Sequence, residues 1–145
     1  MGVNLKSKKT EMRLDNFAWA MLRTFAESNG WIPEGTKNPD PSLLLPKEFK
    51  NVYHKAVENW PGFYHSRNKQ TVSASDANHM ADALRAGIEA VKNGERDADL
   101  LEMFFTDEIK NFFEEIPPAH EIRKCITELS EKFLEFYQGT PFIIG

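Results

Sequence analysis

Residues 71–84, TVSASDANHMADAL, are the stretch of the chain that most resembles a catalytic motif. Ser75, His79 and Asp82 are spaced four and three residues apart, so on a helix they would share one face and could contact one another. Serine, histidine and aspartate are the groups of a hydrolytic triad, in which the histidine takes the proton of the serine hydroxyl. The spacing therefore raises the hypothesis of acyl-transfer chemistry.

A helix start explains the same segment without catalysis. SASD, residues 73–76, fits the capping-box pattern with Asp in place of Glu, so Ser73 is predicted to accept a hydrogen bond from the Asp76 amide. The apolar stripe of the helix that follows comprises Ala77, Met80, Ala81, Leu84, Ile88 and Val91. The triad-like face lies nearly opposite that stripe and is expected to face water, where nothing would build an oxyanion hole. We therefore predict no catalytic residue.

Metal and nucleotide motifs are missing from the sequence. The four histidines form neither HExxH nor Glu-x-x-His, and there is no GxGxxG or GxxxxGK[ST] segment. The single cysteine, Cys125, falls on the apolar stripe of a predicted helix and is expected to be a packed, unreactive thiol. We expect no metal site and no cofactor.

An aromatic segment is the preferred candidate for a ligand or partner site. It lies in and beside a connection interrupted by proline and glycine, and it is rich in the residue types that are enriched where proteins bind partners. Its members are Tyr53, Trp60, Tyr64, His65 and Arg67. The alternative is that its aromatic side chains only hold a long connection against the core.

Charge is unevenly distributed along the chain, whose formal net charge is −4. Residues 1–13 carry four basic residues and one acidic residue, whereas residues 95–116 carry eight acidic residues and two basic ones. The acidic stretch could steer a basic partner, or it could be a solvated helix face. The overall acidity argues against nucleic-acid binding, which normally begins from a basic patch.

Hydrophobic periodicity predicts a single domain that is mainly α. Helices are predicted over about 11–29, from Pro46 to Trp60, over 74–93, over 97–116 with an interruption at Thr106-Asp107, and over 119–138. We expect these five amphipathic helices to form an all-α bundle or orthogonal array. At most one β-ribbon is expected, between Trp31-Ile32 and residues 142–144, and residues 1–10 are predicted to be a flexible lead-in.

The location of the protein is predicted from what the sequence lacks. No signal peptide and no apolar run long enough to cross a membrane are visible, and one cysteine cannot form an internal disulfide. A cytoplasmic protein with no membrane contact is the expectation.

Scattered segments resemble a known group of proteins. GWIPEG at 30–35, QTVSASDA at 70–77, FLEF at 133–136 and FII at 142–144 are similar to segments of a group of small uncharacterised bacterial proteins. The resemblance implies a bacterial or phage origin. It implies no established activity and no catalytic residues.

Two hypotheses of function follow. The first is a non-enzymatic binding or regulatory protein that acts through a protein partner or as a homo-oligomer. The second is a small-molecule-binding protein or enzyme that uses the aromatic, histidine and arginine side chains of residues 53–67. The absence of catalytic motifs favours the first.

Overall fold

The computed structural model describes residues 2–37, 62–65 and 67–145. Within these ranges the chain forms four strands and five helices. The strands are β1 (Gly2–Lys6), β2 (Glu11–Asp15), β3 (Gln70–Val72) and β4 (Phe142–Ile144). The helices are α1 (Asn16–Ser28), α2 (Ala74–Val91), α3 (Asp97–Phe104), α4 (Asp107–Lys110) and α5 (Ala119–Phe136). The helix predicted from Pro46 to Trp60 lies outside the described residues.

The four described strands form one antiparallel sheet in the order β2-β1-β4-β3. Side chains alternate between its two faces, as the pleat requires. The inward-facing, buried residues are Val3, Leu5, Met12, Leu14, Gln70, Val72, Phe142 and Ile144. The helices cover this inner face, so the core lies between one sheet and one helical layer.

The all-α prediction is therefore wrong, and the fold is α+β. Residues 2–6, predicted as part of a flexible lead-in, form the strand that joins β2 to β4. A turn from Ser7 to Thr10, closed by a hydrogen bond of 2.9 Å from the Ser7 amide to the Thr10 carbonyl, connects β1 to β2. Strands of three to five residues leave only two or three apolar positions each, too few to register as a pattern.

The first predicted helix begins too early, because Glu11–Asp15 is a strand. Leu14 fits the helical spacing of the residues that follow. It also fits the two-residue alternation with Met12 that is typical of a strand, so periodicity alone does not distinguish the two. Asp15 marks the real boundary. Its side chain accepts a hydrogen bond of 2.6 Å from the Ala18 amide and caps α1.

The predicted ribbon partner of the last strand is also wrong. Residues 142–144 are extended, as expected, but they pair with β1 and β3 instead of with Trp31-Ile32. Trp31 is buried and Ile32 is 80% exposed. The apolar strand β4 is covered on both edges by strands that lie far away in sequence.

Helix boundaries further along the chain follow the predictions more closely. Ser73 accepts a hydrogen bond of 3.1 Å from the Asp76 amide, which confirms the predicted cap of α2. The predicted interruption near Thr106 is confirmed, since α3 ends at Phe104 and Thr106 caps the short α4. The helical region nevertheless ends at Lys110 instead of Ile116.

Helix α2 packs closely on α1 in the helical layer. Gly87 makes this approach possible, because a β-carbon at that position would lie 2.6 Å from the ring of Phe25. Helix α5 packs against α1, α2 and α3. Its buried side chains Ile126 and Phe133 contribute to the core over the sheet.

Candidate functional site

The triad-like face of α2 is solvent exposed. The side chain of His79 is 59% exposed, and its Nδ1 lies 3.6 Å from Oε2 of Glu34. Asp82 pairs with Arg85 at 2.9 Å. Ser75 is exposed as well. The face therefore lies in water, as the helix periodicity predicts, and carries ordinary surface ion pairs.

The described members of the aromatic segment point in different directions. Tyr64 is only 8% exposed, inside the protein. His65 is exposed, with its ring 4.9 Å from that of Phe63. Arg67 donates a hydrogen bond of 3.0 Å to the carbonyl of Gly2 on β1.

Two further members of that segment, Tyr53 and Trp60, lie outside the described residues. A common site formed by Tyr53, Trp60, Tyr64, His65 and Arg67 stays a prediction.

Asp76 is the centre of a buried polar cluster that the sequence did not predict. Its side chain is fully buried at the first turn of α2. Oδ1 accepts hydrogen bonds from Nε1 of Trp31 at 2.9 Å and from the Glu34 amide at 3.3 Å. Oδ2 accepts a short hydrogen bond from the Tyr64 hydroxyl. Both carboxylate oxygens are thus satisfied, as a buried charge requires.

Tyr64 extends the cluster to two more parts of the chain. Its hydroxyl accepts a hydrogen bond of 2.9 Å from the Gly35 amide, and its carbonyl accepts one of 2.7 Å from Nε1 of Trp19. Burial, together with the hydrogen bond to Asp76, raises the pKa of Tyr64 well above its ordinary value. The tyrosine therefore stays protonated and donates to the carboxylate. This arrangement ties α1, residues 31–36 and α2 together.

A groove of about 450 Å³ lies between α1 and α5. Phe17 and Met21 form one wall, and Cys125 and Leu129 form the other. The ring of Phe113 closes one end, 5.8 Å from the ring of Phe17. The groove is therefore a mainly apolar channel that is open to solvent.

Among the described residues, both charged side chains that line the groove are acidic. They are Asp15, at the start of α1, and Glu121, on the first turn of α5. Both carboxylates lie near helix N-termini, where a negative charge is favoured by the helix dipole. The groove therefore combines apolar walls with a negatively charged border.

Cys125 is exposed in the groove, so the prediction of a buried thiol is wrong. The buried stripe of α5 runs through Ile122 and Ile126. Cys125 precedes Ile126 by one residue, which turns it about 100° away from the core. Partial burial, with negative charge from Glu128 and Asp15, raises the pKa of the thiol. A reactive thiolate is disfavoured, and the side chain contributes polarisable surface to the groove.

An exposed apolar ridge adjoins the groove. Phe112 is 86% exposed, Phe113 41% and Ile116 37%. These residues fall within the predicted helix over 97–116, whose apolar stripe was expected to pack in the bundle. The helix ends at Lys110, however, and the following segment lies on the surface. Exposed aromatic side chains in such a cluster are typical of interaction surfaces.

The described part of the chain contains neither a cluster of metal-ligating side chains nor a membrane-spanning helix. Among residues 2–37, 62–65 and 67–145, no group of three His, Cys, Asp or Glu side chains could hold a metal ion. No helix within the same ranges has the length and apolar character needed to cross a membrane.

Comparison of the chain with known protein families, with curated proteins and with solved structures found no match.

Proposed function

We propose that this protein is a non-enzymatic binding protein that holds an amphipathic, basic helix of a partner protein in the groove between α1 and α5. The observation that carries the proposal is the combination of exposed aromatic walls with an acidic border. The groove lies in the described part of the chain, and its walls belong to two helices anchored in the core. A partner therefore meets a largely preformed surface.

The apolar walls account for affinity. Phe17 and Phe113 are 38% and 41% exposed, and both would lose water contact when a partner enters the groove. Burial of apolar surface contributes about 25 cal/mol per Å². Helix-in-groove recognition uses apolar anchors at i, i+3, i+4 and i+7, which suit an apolar groove between two helices.

The charged residues near the groove determine the sign of the charge that the partner must carry. Asp15 and Glu121 line the groove, and the stretch 95–116, which contributes Phe105 and Phe113 to the lining, carries eight acidic and two basic residues. Such a field attracts a positively charged segment and repels an acidic one. The partner is therefore a helix with an apolar stripe flanked by lysine or arginine.

The test uses the chain's single cysteine, Cys125, which lines the groove. An environment-sensitive fluorophore attached to it reports binding of a designed helical peptide with leucine at i, i+3, i+4 and i+7 and lysine elsewhere. We expect a saturable change in emission. A peptide with the same leucines and glutamate in place of lysine should bind at least about tenfold more weakly, a difference of about 1.4 kcal/mol.

Calorimetry with unlabelled protein provides the control. Phe17→Ala combined with Phe113→Ala should weaken binding of the lysine peptide about tenfold or more, because two apolar anchors of the groove are lost. Ile32→Ala removes an exposed apolar side chain elsewhere and should leave binding unchanged. Equal binding of both peptides, or loss of binding only in Ile32→Ala, would contradict the proposal.

A further inference from the structure

We propose that this chain also associates with a second copy of itself, by inserting Phe112 of one copy into a pocket on the outer face of the sheet of the next. This contact goes beyond the proposed function, because it uses neither wall of the groove between α1 and α5. The inference rests on two surface features of one chain that complement each other in apolar character and in charge.

The inserted feature is the Phe112 side chain. It is 86% exposed, a large cost for an aromatic ring in water. The Phe112 amide donates a hydrogen bond of 3.0 Å to the Ile109 carbonyl, which holds the segment against the end of α4. Glu114 and Glu115 follow in the chain and are exposed. Phe112 is therefore an apolar projection in an acidic surrounding.

The receiving feature is a pocket of about 320 Å³ on the face of the sheet opposite the one that the described helices cover. Its apolar part is Ile143 of β4, and its charged parts are Lys6 of β1 and Lys69. Lys6 and Ile143 are cross-strand partners, so they lie side by side on this face. The pocket is therefore an apolar recess between two exposed lysines.

The rest of the outer sheet face continues the positive charge. Arg13 projects from β2 on the same side as Lys6, since both alternate with buried residues of their strands. Lys37, paired with Thr71 at the other edge of the sheet, is exposed as well. Glu11, the cross-strand partner of Lys6, is the acidic residue that shares this face within the described strands, since the Asp15 carboxylate caps α1 and lines the groove.

Charge complementarity points to a second copy as the occupant. One chain carries a phenylalanine flanked by glutamates and, on a different surface, an apolar recess flanked by lysines. Successive copies can thus satisfy both features, and each inserted ring becomes buried as the opposite charges meet. The two surfaces are different patches, so the contact is heterologous.

The main experiment is a charge exchange followed by sedimentation velocity. The first variant carries Glu114→Lys and Glu115→Lys, and the second carries Lys6→Glu and Lys69→Asp. Asp suits position 69, where φ is 59°. Alone, each variant presents like charges at both surfaces and should stay monomeric. Mixed in equal amounts they should associate again, since each then meets a surface of opposite charge.

The wild-type chain should show association that grows with protein concentration at about 0.1 M salt. Association should weaken at about 1 M salt, where the screening length falls from about 10 Å to about 3 Å. Phe112→Ala should weaken it about 30-fold, the loss expected for one buried aromatic anchor. Ile32→Ala, which removes a side chain that is 80% exposed elsewhere, is the matched control and should change nothing.

Several results would overturn self-association. The first is a wild-type chain that remains monomeric at every concentration in low salt. The second is a mixture of the two charge-exchange variants that stays monomeric. The third is an equal effect of Phe112→Ala and Ile32→Ala on association. The groove variants Phe17→Ala and Phe113→Ala separate the two proposals. Combined, they should weaken peptide binding about tenfold or more without changing sedimentation, whereas Lys6→Glu with Lys69→Asp should prevent association and leave peptide binding unchanged. Circular dichroism of each variant verifies that it is folded.

Discussion

At the scale of single residues, the main polar feature inside the described part of the chain is the hydrogen-bonded cluster around Asp76. A charged carboxylate is stable inside a protein only when its oxygens are hydrogen bonded. Trp31, Tyr64 and the Glu34 amide supply those bonds. The sequence offered one signal, an aspartate at the third position of a helix where a capping box usually has glutamate, and that signal was interpreted only as a cap.

Removal of the Asp76 carboxylate should be strongly destabilising. Asp76→Ala leaves the Trp31 indole and the Tyr64 hydroxyl as buried donors without an acceptor, so the free energy of unfolding should fall by about 3 kcal/mol or more. Urea denaturation measures the change. Asp82→Ala, on the exposed face of the same helix, should cost less than about 0.5 kcal/mol. Similar losses in the two variants would show that the cluster does not stabilise the fold.

Tyr64 makes stability depend on pH in the alkaline range. Its pKa in the folded protein is raised above the ordinary value of 10.0. In the unfolded chain the hydroxyl loses its proton as pH passes about 10, while the folded chain retains it. The stabilising contribution is therefore complete below about pH 10 and decreases above it.

The alkaline effect can be measured by comparing slopes. Above about pH 10 the free energy of unfolding of the wild type should fall more steeply with pH than that of Tyr64→Phe, which lacks the ionisable group. The variant is expected to be less stable at neutral pH because the hydrogen bond to Asp76 is lost, so only the slopes are compared. Parallel curves for the two proteins would contradict the assignment.

At the scale of elements, helix boundaries were predicted correctly where a capping residue or a break in the apolar pattern marks them. Ser73 caps α2 as predicted, and the predicted interruption at Thr106-Asp107 is the boundary between α3 and α4. The error at Phe112 and Ile116 has a local cause as well. Their spacing continues the period of α3, but apolar periodicity cannot show whether a protein surface is available to cover the stripe.

The cap of α2 provides a prediction at this scale. Ser73→Ala removes the acceptor for the Asp76 amide and should lower the free energy of unfolding by about 1 kcal/mol. The control is Ser75→Ala, two residues later on the exposed face, which should be close to neutral. Thermal denaturation followed by circular dichroism measures both. A loss in Ser75→Ala as large as that in Ser73→Ala would argue against the capping role.

At the scale of the whole molecule, the sheet joins distant parts of the chain. Strand β1, near the start of the sequence, lies between β2 and β4, and β4 lies near its end. Leu5 is fully buried, and its cross-strand partners are Met12 and Ile144. Residues predicted to be a flexible lead-in are thus central to the sheet.

Leu5→Ala tests this architecture directly. A flexible lead-in would tolerate the change, whereas loss of a buried leucine from the centre of the sheet should cost about 2–5 kcal/mol. Lys8→Ala, in the exposed turn between β1 and β2, is the control and should lie within about 0.5 kcal/mol of the wild type. Guanidinium denaturation separates the outcomes, and a neutral Leu5→Ala would be incompatible with the described sheet.

The sequence alone determined the features that depend on neighbouring residues. These are the amphipathic helices, the cap at Ser73, the interruption at Thr106-Asp107 and the solvent-exposed triad-like face of α2. The tertiary structure decided the sheet, the Asp76 cluster, the groove beside Cys125 and the exposure of Phe112. Each of these features depends on which surfaces of the chain come into contact. A short strand or a single buried carboxylate has too weak a local sequence pattern to indicate a partner that is tens of residues away.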